Sequence, residues 1–115
     1  MEIKDALDCL ADGHMIWTVK DAKEICAAIG VPFDAKSLVY RYKSDPPGTF
    51  KGLTMNPGCE DAEGVNSLVL SHYVAKQLNV DKKAGDYIGR GFQARAYAEA
   101  VKTELQNRGI LKKEE

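Results

Sequence analysis

Apolar residues recur along this chain at helical spacing, and glycines and prolines interrupt the runs. Ile3, Ala6, Leu7, Leu10 and Ala11 fall three and four apart and form one stripe, which predicts a first helix. Gly13 stands where a left-handed residue would end it. His14 to Trp17 reads as a short extended segment. Thr18 is a good N-cap with Asp21 three residues on, and Ala22, Ile25, Cys26 and Ile29 mark the buried face of a second helix. Gly30 ends that helix, and Pro32 keeps it from resuming.

Two periods compete in the next segment. Asp34 suits a cap, and Ala35, Leu38, Val39 and Tyr42 share one helical face. The same stretch alternates like a strand, and Val39, Tyr40 and Tyr42 favour strands. Cap and stripe agree, so a helix over Asp34 to Lys43 is the preferred reading. Asp45-Pro46-Pro47-Gly48 is a firm break, Thr49 to Met55 reads as extended, and Asn56-Pro57-Gly58 is a second turn. A small hairpin or single strand fits there. Val65, Leu68, Val69 and His72, with Leu70, Val74 and Leu78, cover more than one face of a helix ending near Asn79. Such a helix belongs at the centre of the core. Glu60, Asp61 and Glu63 read as first-turn acids that complement its dipole. Asp81 to Gly91 is a polar, glycine-bearing connection.

Ala94, Tyr97, Ala98, Val101 and Leu105 make a clean stripe for a last helix. Arg95 with Glu99, and Glu104 with Arg108, are spaced to pair on its outer side. Gly109 closes it, and Ile110 is expected to fold back onto Leu105. The expected fold is therefore α+β and mostly α: five helices with a small β-hairpin or extended element. Residues 1–111 make one compact domain, with 112–115 as a disordered tail.

Composition narrows the function classes. At 115 residues, 44% hydrophobic and 29% charged, the chain suits a single globular domain. No apolar run approaches the roughly 20 residues that span a bilayer, so no membrane partner is expected. The first residues lack a basic start followed by an apolar stretch, so no secretory leader is expected. Cys9, Cys26 and Cys59 are an odd number without paired spacing, which fits a reducing, cytoplasmic location. Cys9, His14, Cys59 and His72 match no familiar zinc spacing, so no metal or cofactor is expected. Cys59 at a helix start, with His72 as base, would be a candidate nucleophile. Glu60 and Asp61 would raise that thiol's pKa, however, and His72 sits among core positions. With no convergent site, an enzyme is not expected.

The net charge is -1, yet the cations cluster. Lys36, Arg41, Lys43 and Lys51 lie close together with only Asp45 among them, and Lys82, Lys83, Arg90 and Arg95 form a second group. Local patches matter more to a phosphate backbone than the total does.

Trp17 to Ala22 opening the second helix, Ile29-Gly30-Val31 at the turn, and Leu38 to Lys43 on the third resemble winged helix-turn-helix DNA-binding domains. The likeness covers about the first half of the chain, making that half winged-helix-like. The turn from Pro32 to Leu38 is longer than in the compact motif, and Pro46 to Met55 would be a short wing. The resemblance implies DNA binding of a regulatory kind. With Leu38, Val39 and Tyr42 buried, a third helix would present Lys36, Ser37, Tyr40 and Arg41 to bases and phosphates, flanked by Lys43 and Lys51. The plainer reading is a solvated helix face.

Gly89-Arg90-Gly91 before a helix, with Arg95 one turn in, is a candidate anion site, because free N–H groups at a helix start favour negative charge. The plainer reading is a tight turn with an exposed arginine. The alternative function is a small protein-interaction or inhibitor module with no nucleic-acid role, which the near-neutral charge favours. Under the DNA-binding reading, the two C-terminal helices would either complete the core or form the face of a homodimer, as such modules often bind as dimers.

Overall fold

The computed structural model describes residues 1–41, 54–55, 63–85 and 87–112. Its elements run α1 (Ile3–Ala11), β1 (Met15–Thr18), α2 (Val19–Ile29), α3 (Ala35–Leu38), β2 (Val39–Arg41), β3 (Thr54–Met55), β4 (Glu63–Asn66), α4 (Ser67–Gln77), a 3-10 turn (Asp81–Ala84) and α5 (Arg90–Asn107). The fold is α+β and mostly helical, with five α-helices among the described residues.

Local chemistry sets the element ends. Thr18 Oγ1 accepts the Asp21 N–H at 3.1 Å and starts α2. Gly30, at φ 89°, ends it, and the Gly30 and Val31 N–H groups both donate to the Cys26 carbonyl. Asn66 Oδ1 accepts from the Leu68 and Val69 N–H groups, so it caps α4. Asn79, at φ 60°, turns the chain out of α4, and asparagine tolerates that conformation better than most side chains. Gly109, at φ 76°, does the same after α5.

The sheet has the order β2-β4-β1-β3. β4 runs antiparallel to both of its neighbours, and β3 lies parallel to β1. Trp17, Val65 and Val39 stand opposite one another across β1, β4 and β2 and pack toward the helices. Such a cross-strand row of bulky side chains is the stabilising unit of a sheet. Behind it, Leu10, Ile25, Leu70, Val74 and Leu105 are fully buried where α1, α2, α4 and α5 meet. Each contributes roughly 1.5–3 kcal/mol by leaving water. α5 packs on α1, on α4 and on the 3-10 turn that follows α4. The Tyr73 hydroxyl donates to the Pro32 carbonyl and ties α4 to the segment after α2.

Several expectations need correction. Asp34 to Lys43 is not one helix: one turn, Ala35–Leu38, gives way to β2. Val39 and Tyr40 are strand formers, and pairing with β4 satisfies backbone groups that an isolated short helix would leave to water. Val65 and Glu63 belong to β4 rather than to a helix, because Asn66 starts α4 only afterwards. Glu63 is therefore no first-turn acid. Gly13 is absent from the left-handed residues, since α1 ends on Asp12 in an extended conformation. The side chain that folds back after α5 is Leu111, packed against the core, while Ile110 stays 52% exposed. His72 is exposed, not a core residue. The expected turns at 45–48 and 56–58, the acids Glu60 and Asp61, and the tail from residue 113 lie outside the described residues.

Candidate functional site

The described residues singled out as a nucleic-acid surface do not lie on one helix: Lys36 and Ser37 are on α3, Tyr40 and Arg41 on β2. Lys36 and Ser37 are exposed on the single turn of α3. Asp34 Oδ2 accepts the Ser37 hydroxyl proton at 2.7 Å, and Asp34 Oδ1 accepts the Lys36 N–H at 3.2 Å. The Ser37 hydroxyl is thus already engaged in capping. These bonds, that of Ser37 first, hold the Asp34 carboxyl below its usual pKa, so an ionised carboxylate sits beside the turn. Tyr40 and Arg41 lie on β2, in register with Gly64 and Glu63. Lys43 and Lys51 lie outside the described residues.

The second candidate is a constructed feature of the fold. Gly89 begins α5 at φ 96°, a conformation that favours glycine, and no side chain caps the helix there. A Cβ on Gly91 would stand 3.3 Å from His14 Nε2, close enough that the exposed imidazole would have to give by a few tenths of an ångström. The guanidinium of Arg95 lies 5.8 Å from the centre of the Phe92 ring. It thus stacks on Phe92 rather than forming the expected salt bridge with Glu99, whereas Arg108 does bond Glu104, at 3.1 Å. Between the end of α1 and the start of α5 runs an open groove of about 570 Å³, lined by Asp8, Asp12, His14, Gly89, Gly91 and Arg95. The two carboxylates oppose the anion preference of the helix start. The groove is therefore mixed in charge.

Sequence reasoning missed what lies on the rim. Tyr87 is 56% exposed, Ile88 97% and Phe92 62%, three large apolar side chains within six residues. Exposed apolar groups scattered singly are ordinary, whereas a contiguous group marks a contact surface. The Gln93 side chain holds this loop in place. Its amide nitrogen donates to the Gly85 carbonyl at 3.1 Å, and its oxygen accepts the Tyr87 N–H at 2.9 Å. Phe92 also forms the ridge between the first groove and a second of about 470 Å³, floored by Ala84, Ala96 and Ala100. One signal was visible beforehand: Tyr87, Ile88 and Phe92 interrupt a stretch otherwise polar and rich in glycine.

The two described thiols are both shifted away from the reactive thiolate form. Burial, then the carboxylates Asp8, Asp21, Asp5 and Asp12, push the Cys9 thiol up from 9.0. Burial alone raises Cys26 to about 11. Both are free cysteines, while Cys59 lies outside the described residues. His72 packs against the Tyr97 ring at 5.1 Å and faces Asp81 at 3.9 Å, at the junction of α4, α5 and the 3-10 turn. No helix is long and apolar enough to cross a membrane among the described residues. The chain matches no protein family, no curated protein and no solved structure.

Proposed function

We propose that this domain is a non-catalytic protein-interaction module that meets its partner through the apolar loop and ridge at the start of α5. The observation that carries the reading is the cluster of Tyr87, Ile88 and Phe92, held open by Gln93 beside two grooves. A surface of this kind loses free energy to water unless something covers it, at roughly 25 cal/mol per Å² of apolar area. The near-neutral charge suits a protein partner. The unpaired cysteine pattern supports a reducing, cytoplasmic setting.

A second reading, DNA binding by a winged-helix-type domain, is favoured by one specific feature. β4 lies between β1 and β2, antiparallel to both, in a chain that begins helix, strand, helix, helix and continues with β2, β3 and β4. In that reading a four-residue α3, about 6 Å long, is too short to carry base readout along the major groove. The contacts would then be to phosphate, with Lys36 as the exposed cation on the turn.

Site-specific photo-crosslinking in the native cell separates the two. With the probe at position 88, the interaction reading expects covalent adducts to protein, and none when the probe is at position 36. Nucleic-acid adducts at position 36, with none to protein at 88, would reverse the order. Salt-sensitive binding to duplex DNA that falls in Lys36→Ala with Arg41→Ala, without unfolding, would support the second reading.

A further inference from the structure

We propose that the occupant of this surface is a second copy of the chain, with the two α5 helices packed antiparallel about a twofold axis near the level of residue 97. The proposal rests on the interaction-module reading and names its partner.

α5 buries one side in its own domain through residues such as Ala94 and Val101, and leaves Phe92, Ala96 and Glu99 along the outer side. Their spacing of four and three keeps them in one stripe. Ala96 is small, so two helices can approach closely at mid-length, where interaxial distance depends on the side chains at the contact.

The charges choose the orientation. Arg95 and Glu99 are exposed, opposite in sign and one turn apart, and Arg95 lies over Phe92 instead of bonding Glu99. A parallel pairing in register sets like charges side by side. An antiparallel pairing sets Arg95 of each copy opposite Glu99 of the other, twice by symmetry. A surface that complements itself in this way is what an isologous interface requires.

The apolar ends agree. Ile88 precedes α5 and is 97% exposed, while Ile110 follows it and is 52% exposed. Antiparallel packing carries Ile88 of one copy toward the end that bears Ile110 of the other. The midpoint of Arg95 and Glu99 is residue 97, close to the middle of α5 (Arg90–Asn107), so a twofold axis there lets the two helices overlap along most of their length.

Sedimentation equilibrium of the full chain over a concentration series tests this, with Arg95→Glu, Glu99→Arg and the double reversal. These exposed positions leave the core intact, which circular dichroism verifies. The wild type is expected to dimerise. Each single reversal turns two attractions into two repulsions and should weaken the dimer by about tenfold or more. The double reversal restores complementarity and should return the affinity close to that of the wild type. A wild type that stays monomeric, while the probe at position 88 still captures a different protein, overturns the second copy but leaves the interaction reading standing. A monomer with no capture at 88 overturns both. A dimer indifferent to all three variants places the contact elsewhere and overturns the proposal.

Discussion

Two serines of α4 are fully buried, and they should respond very differently to loss of the hydroxyl. Ser67 Oγ accepts the Met15 N–H at 3.0 Å, which joins the head of β1 to the first residue of α4 across 52 positions of sequence. Ser67→Ala leaves that donor without its acceptor in a part-buried site. An orphaned buried donor costs about 1–3 kcal/mol, and partial access of water to Met15 puts this case at the lower end, about 1–1.5 kcal/mol. Ser71 Oγ instead donates to the Leu68 carbonyl of its own helix, at 2.9 Å. That carbonyl sits in the regular α4 ladder, so Ser71→Ala orphans nothing and gains helix propensity. It should be neutral within about 0.5 kcal/mol. Unfolding entropy near 2.1 cal/mol/K per residue gives about 240 cal/mol/K for 115 residues. Ser67→Ala should therefore lower Tm by about 4–6 °C, and Ser71→Ala by less than about 2 °C. Differential scanning calorimetry with urea unfolding measures both. Equal losses in the two variants, or a larger loss for Ser71→Ala, would refute the assignment of the Met15–Ser67 bond as the tie between sheet and helix.

Other outcomes follow from single groups. Asn66→Ala removes the acceptor for two N–H groups at the start of α4 and should cost about 1 kcal/mol by urea unfolding, while Asn66→Asp keeps most of it. A Cβ at Gly30 meets nothing within 4 Å, so Gly30→Ala tests backbone strain alone and should cost about 1–2 kcal/mol, with Gly30→Asn milder. The Cys26 thiol is raised from 9.0 to about 11, so the unfolded chain loses this proton first as pH rises. Its contribution to stability is full below 9.0 and falls toward about 11; wild type minus Cys26→Ala, followed by urea midpoints, should show that decline.

The helices with clean stripes and strong punctuation were legible from the chain alone. Thr18, Gly30 and Pro32 bracket α2 closely, and its predicted face of Ala22, Ile25, Cys26 and Ile29 is the buried one. The same holds for Ala94, Ala98, Val101 and Leu105 in α5. What local pattern hides is competition from distant partners. At Val39 to Arg41 helix and strand periods both fit, and β4, more than twenty residues further on, decides for the strand. Val65 fits a helical stripe as well as a strand, and only the register with Trp17 and Val39 distinguishes them. The site shows the same limit. Gly89 and Gly91 could be marked as an opening for the backbone, but His14 over Gly91 and Gln93 under the loop are contacts between separated segments. Exposure of Ile88 depends on everything else having packed without it.

Hydroxyl-radical footprinting over a concentration series tests most directly whether the outer face of α5 is where this protein meets its own kind. Tyr87 and Phe92 are readily oxidised side chains beside and on that face, and Phe33, which lies against Lys23 of α2, is the control on another part of the fold. Protection of Tyr87 and Phe92 that grows with protein concentration, while Phe33 oxidises at an unchanged rate, is the predicted result. Oxidation of Tyr87 and Phe92 that stays constant throughout the series would contradict it.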